Sequence, residues 1–155
     1  MWFGIFDRYK IPSKVPSDLQ RVIDRVKRKS KMEILKGAYD AVTTKFTSSN
    51  WKTYARLPKV FQKDVNKLWS REVLHCTHQN FLIRLILIKT GKFKESDIKL
   101  KRGLTYLLSP HQWLSVKVGN KWVDVDAYGR SYGVPFGKSA HGFNSTFNRK
   151  FMKKI

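Results

Sequence analysis

A chain of 155 residues, 41% hydrophobic, is long enough for one domain with a real core and too short for two comfortable ones. Its 32 basic residues against 11 acidic ones give a net charge of +21, and its single cysteine excludes an internal disulfide and fits a reducing, cytoplasmic setting. Met1-Trp2-Phe3-Gly4-Ile5-Phe6 runs at once into Asp7 and Arg8, too short for the apolar core of a signal peptide, and no run approaches membrane-spanning length.

Residues 1–17 carry Pro12 and Pro16 between short polar pieces and read as an extended arm that packs Trp2, Phe3 and Phe6 on the domain. From Asp18 onward, Leu19, Val22, Ile23 and Val26 recur at helical spacing, with Ser17 or Asp18 as N-cap and Arg21, Arg25, Arg28 and Lys29 on the other side. Such a cationic amphipathic helix suits a phosphate backbone or a membrane surface, and also the commoner solvated outside of a core helix. A second helix is predicted from Met32 towards Phe46 on the stripe Met32, Leu35, Tyr39, Val42 and Phe46, which Thr47-Ser48-Ser49-Asn50 breaks. Pro58 suits the first turn of a third helix over Val60, Phe61, Val65, Leu68 and Trp69.

Cys76 then opens an apolar run, Phe81-Leu82-Ile83 and Leu85-Ile86-Leu87-Ile88, that stops at Thr90-Gly91. This predicts a buried helix capped by glycine, although nothing marks its first residue. Ile98, Leu100, Leu104, Tyr106 and Leu108 alternate as a strand, and Trp113–Val118 with Trp122–Val125 read as a hairpin about Gly119-Asn120. From Tyr128 to Phe147, glycines and scattered aromatics predict an ordered loop wrapping the surface, followed by a frayed basic tail with Arg149, Lys150, Lys153 and Lys154. The expectation is one α+β domain over 1–155. It divides into an arm and helices (1–50), a core (51–128), and a wrapping loop with a basic tail (129–155).

The chemistry-bearing residues fall in the core. A thiol attacks carbonyl carbon as thiolate, so it needs positive charge beside it, which a helix N-terminus and an imidazolium both supply. Cys76 at a helix start and His111 at the head of a strand meet that need, and a carboxylate fixing the imidazole completes the set. Asp124 and Asp126 share one strand face with Trp122, so alternation does not choose between them. A lone cysteine among apolar residues is also a small core hydrophobe. His75, Cys76 and His78 invite a metal reading, but zinc sites need three or four ligands at matched spacing and only one thiol is available.

The run Leu74-His75-Cys76 into an apolar helix, His111-Gln112-Trp113 opening a strand, and Lys121-Trp122-Val123-Asp124-Val125-Asp126 together resemble the transglutaminase-like superfamily, papain-like acyltransferases and peptidases. That family sets a tryptophan four residues before the catalytic aspartate, so the resemblance selects Asp126 and leaves Asp124 as a neighbouring acid. It covers roughly Trp51 to Tyr128. It implies a catalytic triad of Cys76, His111 and Asp126, Trp69 as a candidate second donor to the oxyanion, and a small antiparallel sheet packed on the cysteine helix. It also implies an amide or acyl substrate and no cofactor. The chain departs from the family in having Val73-Leu74-His75 where a glycine is usual before the cysteine, and Ala127 where a proline usually follows the aspartate.

The charge suggests that a peptide or protein substrate is itself acidic. It also opens a second reading, an inactive basic module binding nucleic acid or another polyanion, in which Trp51, Tyr54 and Trp113 stack bases.

Overall fold

The apolar run that follows Cys76 becomes the central helix of the molecule. In the computed structural model the described residues are 9–49, 61–105 and 109–141. They form α1 (Ser17–Val26), α2 (Lys31–Lys45), the short α3 (Val65–Trp69), α4 (Cys76–Lys89), a 3-10 turn (Glu95–Asp97), β1 (Ile98–Thr105), β2 (Ser109–Val118), β3 (Lys121–Val125) and the short α5 (Ala127–Arg130). The architecture is α+β, with a helical layer and a three-stranded antiparallel sheet both packed on α4.

α4 is buried from Cys76 through Leu87, as expected of a helix that is apolar nearly all round. Leu82, Ile83, Leu85 and Ile86 join one core with Leu19 and Ile23 of α1, Leu35 and Tyr39 of α2, and Leu114 and Val116 of β2. Gly91 follows the helix with φ of +72°, the left-handed conformation that ends helices and that glycine adopts without penalty. The one buried cation of α4, Arg84, is fully engaged: it donates to both carboxylate oxygens of Glu95 at 2.9 and 2.6 Å and to the Tyr9 carbonyl at 2.7 Å. This ties residues ahead of α1 and the turn before β1 to the central helix.

The sheet has the order β1-β2-β3, with Leu100 opposite Leu114 and Val116 opposite Val123. Alternation divides its faces. Ile98, Leu114, Val116 and Val125 enter the core, while Lys99, Lys101, Lys117 and Trp122 stand exposed on the other face. Gly119-Asn120 closes the hairpin as expected, with Gly119 at φ of +59°. After α5 the chain returns along β3, where Gly137 forms an antiparallel bridge with Asp124.

Several expected details differ. α1 begins at Ser17, so Pro16 occupies the N-cap and no side chain caps the helix. α2 begins with a capping box, in which Ser30 Oγ accepts from the Glu33 backbone and Glu33 returns the bond to the Ser30 N–H. That fixes the helix phase so that Ile34 and Ala38 face the core beside Leu35, Tyr39 and Val42, while Met32, expected inside, is 43% exposed. α3 is shorter than expected because Asp64 caps it, accepting from the Asn66 N–H at 2.9 Å, and Phe61 stands outside it, 49% exposed. Trp2, Phe3 and Phe6 of the arm, Trp51, Tyr54, Pro58, Val60, Tyr106, Leu108 and the basic tail lie outside the described residues.

Candidate active site

Cys76 is the first residue of α4, and His75 is its N-cap, with the Nδ1 atom accepting from the Thr77 N–H at 3.3 Å. A histidine caps a helix only with an unprotonated nitrogen, a role usually taken by Ser, Thr, Asp or Asn. Capping folds the ring back over the thiol: Cys76 Sγ lies 3.7 Å from His75 Nδ1 and 3.8 Å from Nε2. The Cys76 backbone N–H, in the first turn, has no acceptor within the helix. It is the natural first donor of an oxyanion hole.

The start of β2 meets the start of α4. Thr77 Oγ1 donates to Gln112 Oε1 at 3.3 Å, and the neighbouring His111 is hydrogen-bonded to the thiol. Nε2 of His111 is taken by Asp126 Oδ2 at 2.8 Å, which leaves Nδ1 for the sulfur. Asp126 is fixed in turn by α5, whose N-cap it forms: Gly129 N–H donates to Oδ1 at 2.8 Å, and Ala140 N–H donates to Oδ2 at 2.9 Å. A carboxylate held by two backbone donors cannot turn away from the imidazole. Ala127 occupies the first position of α5, the place where proline also fits a helix, so departing from the family's proline leaves the cap intact.

Cys76 and His111 are each 4% exposed and Asp126 1%, whereas His75 is half-buried and forms the open edge of the group. Burial resists ionisation of the Cys76 thiol, but the charge of His75 and the hydrogen bonds from His111 and His75 outweigh it and bring the thiol down to about 5. Burial likewise opposes a charged His111; its bonds to Asp126 and to Cys76 prevail and raise the ring to about 10. Between those values the pair stands as thiolate and imidazolium, a nucleophile with its acid already charged.

Asp126, not Asp124, meets His111. β3 ends at Val125 and the backbone turns at Asp126, while Asp124 stays in the ladder and accepts from Ser139 Oγ at 2.9 Å. The two acids therefore grip adjacent residues of the returning segment, Asp124 through the Ser139 hydroxyl and Asp126 through the Ala140 amide. Trp113 is buried and sandwiched between His111, with ring centroids 6.0 Å apart, and His141 at 5.4 Å, so it walls the imidazole and is not open to stack bases. Trp69 has its neighbours in the helical layer, packed edge-on against Phe46 at 5.5 Å with Lys45 Nζ 5.1 Å from the ring. Its indole N–H is sealed from solvent without a hydrogen-bond partner, so as the chain stands it is closed to a substrate oxygen. Among the described residues no cluster of three or more His, Cys, Asp or Glu is arranged to hold a metal ion.

The residue that the sequence under-read is His75. Its place beside the only cysteine was visible, but its role as N-cap depended on where α4 begins. Ser139, Ala140 and His141 carried no signal, because a loop's return path is set by tertiary contacts. No family model, no curated protein and no solved structure matches this chain.

Proposed function

We propose that the chain is a transglutaminase-like thiol enzyme that forms an acyl-enzyme on Cys76 and hydrolyses or transfers an amide or acyl group. The observation that carries this reading is the buried line Cys76–His111–Asp126, with the 2.8 Å bond from His111 Nε2 to Asp126 holding the other ring nitrogen for the thiol. The helix packed on an antiparallel sheet, with the thiol at its first residue, supports the resemblance drawn from the motifs.

The Cys76 thiolate attacks the acyl carbon and forms the C–S bond, while the Cys76 N–H donates to the oxyanion. As the C–N bond breaks, His111 gives its Nδ1 proton to the leaving nitrogen. Water or an amine then attacks the thioester and passes its proton to His111. The C–S bond breaks and the thiolate–imidazolium pair is restored. Asp126 stays ionised throughout and holds the ring in register. Rate measurements with iodoacetamide across pH test this reading, because Cys76 is the only thiol in the chain. Labelling should rise with a midpoint near 5, and turnover of an activated acyl substrate should fall below about 5 and again above about 10. A labelling midpoint at the free-thiol value of about 8.5 would remove the catalytic claim.

A second reading, binding of single-stranded nucleic acid, is favoured by the exposed sheet face. Lys99 Nζ lies 4.0 Å from the centre of the Trp122 ring, and Lys101 and Lys117 stand exposed on the same face. An exposed aromatic ringed by cations offers a base a stacking surface and phosphates their counter-charge. Under this reading a generic oligonucleotide binds with affinity that falls steeply with salt, and Trp122→Ala weakens it by about 1–3 kcal/mol. Absence of binding at low salt would dismiss it.

A further inference from the structure

With Cys76 read as an acyl-transfer nucleophile, we propose that His75 is a second catalytic imidazole, sharing with His111 the task of holding the thiol ionised and supplying the pair's solvent-side proton. Both nitrogens of its ring are within 3.8 Å of Sγ, and the ring forms the rim between the buried sulfur and solvent. Serine, threonine and asparagine N-caps do not titrate. This one does, and it touches the reacting atom.

The surroundings of Nδ1 suit both protonation states. In neutral His75, Nδ1 accepts the Thr77 N–H at 3.3 Å, which places the ring's proton on Nε2, beside the sulfur. When the ring takes up a second proton, Nδ1–H can no longer accept from that N–H. Thr77 Oγ1, 3.2 Å away, then accepts from it while keeping its own hydrogen on Gln112 Oε1. Thr77 thus presents a donor to one state and an acceptor to the other, so Nδ1 of His75 keeps a partner whether or not it carries a proton, the charged state giving up only the cap on the Thr77 N–H. His111 has no such freedom, because Asp126 fixes one nitrogen as a donor and the thiolate fixes the other.

Among the described residues, the titratable groups facing His75 include the Cys76 thiol, the His78 ring edge-on at 6.4 Å, the Tyr128 ring of α5 at 6.4 Å, and His111 of β2, behind which stands Asp126. Burial works against a charged His75 and so does His111, but the adjoining thiolate prevails and raises its pKa. A proton leaving the thiol therefore has two bases to choose from.

The experiment is an ultraviolet titration of the lone thiolate in the native chain, in His75→Asn, in His111→Ala and in the double variant, with cooperative thermal unfolding as the check on folding. Asparagine retains the N-cap, since its side-chain oxygen accepts from the same N–H, but it carries no titratable ring. His75→Asn should raise the thiol midpoint by about one pH unit or more, an approximately tenfold loss of thiolate below it, while His111→Ala should keep a midpoint below that of free cysteine. Only the double variant should titrate like free cysteine. An unchanged midpoint in His75→Asn, or an ordinary thiol in His111→Ala, overturns the role of His75 and leaves the Cys76–His111 pair standing. Should His75→Asn fail to fold, the midpoint of His111→Ala decides by itself. An ordinary thiol in the native chain overturns both this role and the thiol-enzyme reading.

Discussion

At the scale of single residues, the site depends on a side chain that is missing. Asp126 reaches both His111 and the Gly129 amide because residue 129 has no Cβ: one added there would lie 2.7 Å from Asp126 Oδ2 and 2.9 Å from Val134 Cγ2. Neither neighbour is the loose end of a long chain, so the carboxylate itself would have to move. Gly129→Ala should therefore act as a mutation of the triad although residue 129 touches no substrate. Acyl transfer should drop by about a hundredfold, the scale of a catalytic group displaced by about 1 Å, while cooperative unfolding is retained. Steady-state rates alongside a thermal melt check this, and full activity would show that Asp126 is dispensable. The same residue scale explains why His111 was legible and His75 was not: His111 lies near the start of β2 with a tryptophan two residues on, whereas a histidine N-cap has no sequence signature.

At the scale of elements, the helical layer is set by one close crossing. Gly37 of α2 faces Val26 of α1, and a Cβ at residue 37 would meet Val26 Cγ1 at 2.8 Å. Alanine is the better helix former by about 1 kcal/mol, so propensity alone predicts that Gly37→Ala stabilises. Packing opposes it, because valine is stiff at χ1 and both residues sit at the α1–α2 contact. Overpacking of this kind costs about 1–3 kcal/mol, so the net effect should be a loss, reversed when Val26→Ala is added to make room. Urea melts of the single and double variants read the sign. A stabilised single variant would mean that α1 shifts freely on α2. Most elements were readable from periodicity: the α1 stripe, the buried α4 with its closing glycine, and the hairpin about Gly119-Asn120. Where the reading slipped, a cap decided. Ser30 with Glu33 moved the phase of α2, and Asp64 moved the start of α3.

For the molecule as a whole, the charge of +21 sets the long-range field, and Asp124 and Asp126 are the only acids after Asp97. Both are engaged, by Ser139 and by His111 with two backbone amides, so neither opposes that field freely at the site. Under the proposed function, an acidic substrate should therefore be steered in faster than a basic one. Matched peptides with Glu or Lys flanking the reactive amide should differ in kcat/KM at low salt in favour of Glu, and the difference should shrink as the Debye length falls below about 10 Å. Equal rates, or preference for Lys, would assign the charge to another partner, with the Trp122 face as the first surface to test. No helix among the described residues is long and apolar enough to cross a membrane.

The sequence by itself determined the order and type of the longer elements, because hydrophobic period, glycine and turn chemistry act over a few residues, whereas the short α5 fell at the start of the stretch read as a loop. It also placed a thiol, an imidazole and an acid in chain order at element ends. Three decisions belonged to tertiary structure. The backbone turn at the end of β3 singled out Asp126, since Asp124 remained in the ladder and alternation treats the two alike. The return of the chain to His141, stacked on its ring, turned Trp113 from a candidate for base stacking into a buried wall of the site. The exact first turn of α4 folded His75 over the sulfur. The first two depend on contacts between segments far apart in the chain, which local preferences do not encode, and the third on a helix boundary that the sequence leaves unmarked.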